Sequence, residues 1–393
     1  MSFPTFDPVV YGAHPGTIAG FETTGGFTVT TPSGPTGTAV GESDVLAGFA
    51  KGGGNTVTAE NSVDTAAIGD AFTVTDFAQA GRNTVTVAAV EALAAGTAFT
   101  LNGFAQAGHN VVTATAQQGA EAEGDADTMS GHAQGGYNTV VATSVTTIAD
   151  ARGDAETMSG FAQGGHNSVT ATSFEPPVVF GDAETMTGFA KGGHNTVSGS
   201  SVESSLESFF TILVGDAGGL SGFASAGDNT LKGVAGSSTI MLGDGFTVEG
   251  FASGGGNTLI GSSAGSNPNF EVANIMFGDG EQLLGFASGG GNTLVAGQGS
   301  RDTMWGDAEF VSPTAHTRAN TFVFNAGIGH DTIMDFRSGE DHVDLEGFGI
   351  SSFQQLEQLF QTTAAGLDIV FNTSSSILLN GVSHVAASDF VFS

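Results

Sequence analysis

One string of residues recurs along most of the chain, and its spacing restricts the possible folds more than any other feature. Residues 153–170 read GDAETMSGFAQGGHNSVT, and residues 181–198 read GDAETMTGFAKGGHNTVS, 28 positions later. The F-A pair of this string recurs nine times between residues 41 and about 305, with His132 replacing one Phe. The intervals are 28, 27, 28, 29, 28, 34, 28 and 35 residues. Such a period is typical of a solenoid, in which each repeat forms one turn and stacks on the next.

Two polar positions keep a constant distance from this aromatic series. An acidic residue lies seven positions before each aromatic residue, except at Thr97, and an Asn lies six positions after it without exception. The acidic series is Glu42, Asp70, Asp125, Asp154, Asp182, Asp216, Asp244 and Asp279. The Asn series is Asn55, Asn83, Asn110, Asn138, Asn167, Asn195, Asn229, Asn257 and Asn292. Length varies only between an Asn and the next acidic position, so we expect insertions to leave the stack as loops on one side.

Short strand-like segments fill each repeat. NTVTAE and HNVVTATA alternate polar and β-branched residues with period two, while TIMLGD and NIMFGD are short apolar runs that end at a turn. The pattern predicts three short strands per turn in an all-β fold, a parallel β-solenoid of the β-roll or β-helix kind with about nine turns of about 28 residues. Equivalent residues of successive turns would lie about 4.8 Å apart.

Each series has an expected place in such a stack. We expect the interior to contain the aromatic series, the Val or Leu two positions after each Asn, and the Met or Leu three positions before each Phe. We expect the Asn series to form a ladder of side-chain amides that bond along the axis and satisfy turn backbone.

The predicted organisation has three parts. Residues 1–40 form an N-terminal cap segment, residues 41–310 the solenoid repeats, and residues 311–393 a β-rich C-terminal region. A solenoid exposes unpaired strand edges at both ends unless they are capped. Incomplete capping would permit head-to-tail association into filaments.

The charge is strongly acidic. The chain has 40 Asp plus Glu against 8 Lys plus Arg, a formal net charge of −32, which disfavours nucleic acid and favours cations as partners. Carboxylates 4.8 Å apart repel by about 3.5 kcal/mol at an effective dielectric constant near 20. Two interpretations of the acidic series follow. Its carboxylates cap turn N–H groups while facing solvent, or they coordinate a hard divalent cation such as Ca²⁺ through oxygen.

The repeats resemble those of a known family. The G-D-A-x-T-M-S-G-x-A-x-G-G stretch resembles degenerate repeats of the hemolysin-type calcium-binding (RTX) family, whose GGxGxDxUx nonapeptide builds a Ca²⁺-filled parallel β-roll. This chain has GGHNSV, GGHNTV or GGGNTL where the family commonly continues G-G-N-D-T-L. Residues 320–393, which begin NTFVFNAGIGHDTIMDF and end ILLNGVSHVAASDFVFS, resemble the C-terminal region of type I secreted RTX proteins.

This resemblance implies calcium binding and export. By position it makes Asp331, Asp335, Asp341 and Asp344 calcium ligands, with Asn320 where the family usually has Asp. Further candidate calcium ligands are Asp70, Asp125, Asp154, Asp182, Asp216, Asp244, Asp279 and Asp307. It also implies an uncleaved C-terminal signal read by type I secretion machinery, an extracellular or cell-surface location, and folding driven by external Ca²⁺. We therefore expect a chelator to lower the melting temperature.

Catalytic and membrane signals are weak. The chain has no HExxH string, no Cys and no run of about 18 apolar residues, and Gly261–Gly265 matches GxSxG without the strand–turn–helix context of a nucleophile elbow. If the turns stack in register, His166 and His194 are neighbours, and we expect them to be solvated positions of a surface ladder, with trapping of a transition metal as the alternative. We expect no enzymatic activity.

The leading interpretation is therefore a secreted, calcium-binding structural protein of a surface, matrix or adhesive layer, able to self-assemble. One alternative is a secreted accessory or effector protein that engages a cell-surface ligand through the loops at 198–211 and 260–274. The other is an ice-binding protein, because threonines after the Asn series would form flat ladders. These threonines are Thr56, Thr58, Thr84, Thr86, Thr139, Thr196, Thr230, Thr258 and Thr293.

Overall fold

The chain forms a single-axis β-solenoid. The computed structural model describes residues 8–13, 15–61, 63–201, 210–265 and 271–393. Strands make up 49% of the structure and helices 3%, and the parallel sheets form about 11 turns of about 28 residues. The predicted fold class is confirmed. The stack exceeds the nine repeats counted in the sequence because strands before residue 41 and after residue 310 continue the same sheets.

Each turn contributes one strand to each of three sheets. Sheet 1 has 15 strands, which are, in spatial order, Val9–Tyr11, Thr36–Val40, Asp64–Ile68, Glu91–Ala95, Ala120–Glu123, Ala149–Arg152, Val178–Phe180, Thr211–Val214, Thr239–Leu242, Ala273–Phe277, Arg301–Trp305, His330–Ile333, Ser375–Asn380, Gly366–Asn372 and Phe360–Thr362. Sheet 2 has 11 strands, which are Thr17–Ile18, Ser43–Leu46, Ala71–Val74, Ala98–Leu101, Ala126–Met129, Ala155–Met158, Ala183–Met186, Ala217–Leu220, Gly245–Val248, Gly280–Leu283 and Ala308–Val311. Sheet 3 has 13 strands, which are Thr28–Thr30, Thr56–Glu60, Thr84–Ala89, Val111–Ala116, Thr139–Ser144, Ser168–Ser173, Thr196–Ser201, Thr230–Gly233, Thr258–Ile260, Thr293–Val295, Thr321–Asn325, His342–Glu346 and Phe390–Phe392.

The register is maintained across the insertions. Thr196 pairs with Thr230, and Thr258 pairs with Thr293, although 34 and 35 residues separate the members of these pairs. The insertions therefore do not shift the register of the strands on either side of them. The proposed ligand loops at 198–211 and 260–274 contain residues 202–209 and 266–270, which lie outside the described residues.

The C-terminal end of sheet 1 differs from the rest. Its last two pairings are antiparallel and join Ser375–Asn380, Gly366–Asn372 and Phe360–Thr362. A short α-helix, Phe353–Leu356, and two 3₁₀ helices, Glu357–Leu359 and Ala387–Asp389, complete this region. The buried side chains of the helix and of these strands join the core between sheets 1 and 3, so this region covers the end of that core.

The interior contains two main apolar clusters. One lies between sheets 1 and 3 and includes Val57 and Val85, each two positions after an Asn. The other packs sheet 2 against the segment that follows the aromatic series and includes Leu46 and Met158, each three positions before a Phe. These two predicted core positions are confirmed.

The aromatic series lies outside, so its predicted place in the interior is wrong. The eight Phe side chains of the aromatic series, from Phe49 to Phe286, are 48–57% exposed. Their rings, with His132 among them, stack face to face with centroids 4.7–5.3 Å apart. The next residue in each turn, such as Ala162, is buried instead. The corner accommodates only a small side chain inside, and stacking on the equivalent ring covers about half of each Phe outside.

Candidate functional site

The acidic series lies in the interior, at the turn where each strand of sheet 1 passes into sheet 2. All eight side chains and Thr97 are fully buried. The carboxylates cap turn N–H groups, as one interpretation expected, but the expectation that they face solvent is wrong. In most turns a glycine lies opposite the carboxylate, as at Gly164, where an added Cβ would lie 2.5 Å from Asp154 Oδ2 and 2.8 Å from Asp182 Oδ1.

Backbone and amide donors hold each carboxylate. The N–H eleven positions later donates to it, for example Gly81 to Asp70 Oδ2 at 2.6 Å and Gly165 to Asp154 Oδ2 at 3.0 Å. Asn side chains add further bonds and bridge successive turns. Asn55 Nδ2 donates to Glu42 Oε1 at 3.1 Å and to Asp70 Oδ1 at 2.9 Å. The acidic and Asn series therefore contact each other and form a polar layer between the two apolar clusters.

The Asn series forms the predicted amide ladder. Each Asn backbone N–H donates to the side-chain Oδ1 of the Asn in the next turn at 2.8–3.1 Å, from Asn55 to Asn320. Phe27 N–H begins the ladder on Asn55, and Asn320 N–H ends it on Asp341 Oδ1. Each Asn Nδ2 in this run also donates to a carbonyl or carboxylate oxygen, so these buried amides are satisfied.

Burial shifts the titration of the acidic series. Desolvation raises the pKa of Asp125 to about 6 and that of Asp244 to about 7. Desolvation and repulsion by Asp125 and Asp182 raise the pKa of Asp154 well above its usual range. In the described part of the chain these residues form no ion pair with a basic side chain, so their raised pKa values favour the protonated form near neutral pH. Adjacent carboxyls can then share protons along the axis.

The C-terminal candidate ligands do not converge on one point. Asp331 lies in sheet 1, and its Oδ1 accepts from Asp302 N–H at 2.9 Å. Asp335 accepts from Gly306 N–H and Asp307 N–H at 2.8 and 3.0 Å. Asp344, in contrast, is half-buried on a strand of sheet 3.

Arg337 occupies the space between two other candidates. Its guanidinium lies 3.0 Å from Asp307 Oδ2 and 3.2 Å from Asp341 Oδ1. Asp341 also accepts the N–H that ends the Asn ladder. Asp344 accepts from Ser393 Oγ at 3.0 Å. A cation bound between Asp307 and Asp341 would therefore compete with a resident guanidinium.

The acidic series offers a cation few unoccupied oxygens. Most of its carboxylate oxygens already accept N–H donors. Among the described residues, the buried oxygens of the candidate ligands and of Glu42 that accept no hydrogen bond are Glu42 Oε2, Asp244 Oδ2, Asp279 Oδ2 and Asp331 Oδ2. Two of these belong to successive turns, Asp244 and Asp279. The donor chemistry thus fits Ca²⁺ at a few turns and fits shared protons in the others.

Two further buried polar residues that form an amide–carboxylate hydrogen bond were not identified from the sequence. Asp302 and Asn274 are both fully buried, and Asn274 Nδ2 donates to Asp302 Oδ1 at 2.6 Å. Together with Asp331 they form a second, shorter polar row in the strands of sheet 1. The signal was a polar residue at an inward position of an apolar strand, in NIMF and in DTMW.

Three further columns of side chains lie on the surface, one of His and Tyr and two that contain the threonines. His166 and His194 are neighbours as predicted, with ring centroids 4.8 Å apart, and Tyr137 stacks on His166 at 4.9 Å. The threonines lie in register on sheet 3, but Val111 and Ser168 interrupt the first column. Val141, Ser198 and Lys232 interrupt the second. Ice binding therefore stays an untested alternative.

Comparison with known proteins assigns no family. No family model matches the chain, and neither the curated proteins nor the solved structures contain a match. Within the described part of the chain, no helix has the length and apolar character needed to cross a membrane.

Proposed function

We propose that this chain is an exported, non-enzymatic structural rod that binds Ca²⁺ and assembles into a surface or matrix layer. The observation that carries the proposal is the continuity of the three sheets, which stack about 11 turns of nearly constant cross-section on one axis. Most side chains in a turn contact their equivalents in the next turn. This regularity is what a load-bearing or spacing element requires.

The charge supports a role for a cation. A chain with net charge −32 repels its own copies at neutral pH, and within the described residues the buried carboxylates of the acidic series form no ion pair with a basic side chain. Calcium that binds only the folded chain would stabilise it by about 2.7 kcal/mol per site at one hundred times the dissociation constant. Divalent cations would also reduce repulsion between rods.

The ends of the rod indicate how copies would join. In the described residues, sheet 2 ends in the edge strands Thr17–Ile18 and Ala308–Val311, and sheet 3 ends in the edge strands Thr28–Thr30 and Phe390–Phe392. Such edges can pair with another chain. The antiparallel strands near the C-terminus interrupt the parallel pattern of sheet 1, so end-to-end pairing would use sheets 2 and 3.

One set of samples tests the proposal. Purified protein at pH 8 is compared in Ca²⁺ and in EGTA, at equal ionic strength, by calorimetry and electron microscopy. We expect a higher melting temperature and filaments or layers in Ca²⁺, and separate rods with a lower melting temperature in EGTA. An unchanged melt would remove Ca²⁺ from the proposal, and particles that stay single in both buffers would remove the assembling role.

A further inference from the structure

The aromatic series, extended by Phe21, forms an exposed column along the rod. Its nine Phe side chains, from Phe21 to Phe286, are 48–85% exposed, and His132 stands among them. We call this column the ring ridge. Neighbouring rings are nearly parallel, with interplanar angles of 4–7°. The ring faces are therefore covered along the axis, and the ring edges face solvent.

The ridge exposes more apolar surface than a monomeric protein usually carries in one place. Each Phe exposes about half of its surface, which is roughly 100 Å² if a whole aromatic side chain contributes about 200 Å². Nine such side chains expose on the order of 900 Å², whereas the largest apolar patch of a typical monomer is about 300–600 Å². A stable protein interface buries about 800 Å² on each partner. The ridge thus offers about the area that one side of a stable interface needs.

Few carboxylates border the ridge, although the chain has a net charge of −32. The column two positions after the rings contains Lys51 and Lys191 and no carboxylate among its described residues. In the columns one and two positions before the rings, the carboxylates of the ten described turns are Asp76 and Glu249. Glu22 follows the first ring. Two copies of this acidic chain would therefore meet with little repulsion on this face.

The repeat of the ridge indicates what would cover it. Planar ligands such as nucleobases stack on ring faces, and here the neighbouring rings already occupy those faces. The net charge disfavours an anionic membrane. Identical side chains repeated along a β-ladder form dry, interdigitated interfaces with a second ladder of the same repeat. A second copy of this chain supplies that repeat over the whole length of the ridge.

We propose that the ring ridge is a lateral interface, on which a second copy of this chain packs with its own ridge to form a two-fold symmetric pair of rods. Both copies use the same surface, so the contact closes on itself and leaves the strand edges at the ends free. This inference rests on the assembling role in the proposed function and adds to it a side-by-side contact. The contact uses apolar burial and needs no Ca²⁺.

Salt concentration should control the pairing. At 0.01 M NaCl the Debye length is about 30 Å, and the charge on the two copies opposes their approach. At 1 M NaCl the Debye length is about 3 Å, so this repulsion is screened while burial of the rings still favours association. We expect the wild-type protein in EGTA at pH 8 to sediment as a monomer at 0.01 M NaCl and as a dimer at 1 M NaCl.

Three variants locate the contact. His132→Glu places a carboxylate within the ridge, and two-fold symmetry would bring two such carboxylates into the interface. His166→Glu is the matched control, because His166 also lies between two stacked rings in an exposed column, but outside the ridge. His132→Phe makes the ridge uniformly apolar. Each protein is examined in EGTA by sedimentation velocity at both salt concentrations, and circular dichroism verifies folding.

At 1 M NaCl we expect dimerisation to be at least about tenfold weaker in His132→Glu, because a buried unpaired carboxylate is costly. We expect it to be unchanged in His166→Glu and stronger in His132→Phe. If His132→Glu does not fold, the comparison of His132→Phe with wild type carries the test.

Equal dimerisation of His132→Glu and His166→Glu, or of His132→Phe and wild type, would overturn the ridge contact. So would a wild-type protein that stays monomeric at 1 M NaCl, or one that binds neutral phosphatidylcholine vesicles instead of pairing. Filaments that form in Ca²⁺ from such a monomeric chain would leave the proposed function intact. Dimers in EGTA together with no response to Ca²⁺ would retain the ridge contact and remove the calcium part of the proposed function.

Discussion

At the scale of single residues, the polar layer combines two types of side chain with complementary donors and acceptors. Most of the Asn amides donate to an acidic residue of their own turn, of the next turn, or both, and each Oδ1 accepts a backbone N–H along the axis. Thr97 shows that the layer tolerates a neutral member, because its Oγ1 accepts from Asn110 Nδ2 at 3.0 Å. Charge is therefore not required for these hydrogen bonds.

Stability should fall as the pH rises in the absence of divalent cations. The pKa values of the buried carboxyls are higher in the folded chain than in the unfolded chain, so the folded chain binds more protons between about pH 4 and pH 7. The contribution of these carboxyls to folding stability is complete below their pKa in the unfolded chain, near 4. It is lost as the pH rises through their pKa values in the folded chain, about 6 for Asp125 and about 7 for Asp244. Each proton involved contributes a slope of about 1.4 kcal/mol per pH unit.

The Asp154→Asn variant should weaken this dependence. It removes one ionisable group with little change of shape, so we expect a melting temperature in EGTA close to wild type at pH 5 and higher than wild type at pH 8. The expected gain in the free energy of unfolding at pH 8 is about 1.4 kcal/mol for each unit by which folding raises the pKa of Asp154. Glu249→Gln, at an exposed position, is the control and should follow wild type at both pH values. A destabilised Asp154→Asn variant at pH 8 would show that the carboxylate is required in its charged form.

At the scale of the turn, the sequence was sufficient for the strands and insufficient for the corners. The period, the alternation in NTVTAE and the constant segment lengths determine three strands and their register, because a one-residue slip would expose Val57 and its equivalents. Hydropathy failed at the F-A corner, where Phe is outside and Ala inside. It failed because each ring packs on the equivalent ring of the next turn. This contact cannot be seen in the sequence of one turn alone. The burial of the acidic series escaped prediction for the same reason, since its Asn and Gly partners lie in other strands and turns.

The ring stack should contribute measurably to stability. Phe189 lies between Phe161 and Phe223 at 4.9 and 5.0 Å, and aromatic pairs contribute about 0.5–1.5 kcal/mol each beyond the area they bury. We expect Phe189→Ala to lower the free energy of unfolding by about 1–3 kcal/mol, measured by denaturant titration. Phe310→Ala is the control, because Phe310 is 54% exposed but lies outside the stack, and it should change stability by less than about 0.5 kcal/mol. Equal losses in both variants would deny the stack a specific role.

At the scale of the whole molecule, one register runs through every turn. Insertions of different length leave it intact, and the C-terminal antiparallel strands add to the same stack. The acid–amide layer and the ring stack exist only because equivalent residues of successive turns lie beside each other. A local loss of register would therefore affect the core and the surface together.

The most direct test of this central claim is a distance along the axis. The chain has no Cys, so Thr56→Cys/Thr293→Cys can be spin-labelled at two sites on sheet 3 that eight successive pairings separate. Pulsed electron–electron double resonance should give one narrow distribution near 38 Å, since each turn adds about 4.8 Å. A broad distribution, or a distance far from this value, would contradict a continuous in-register stack.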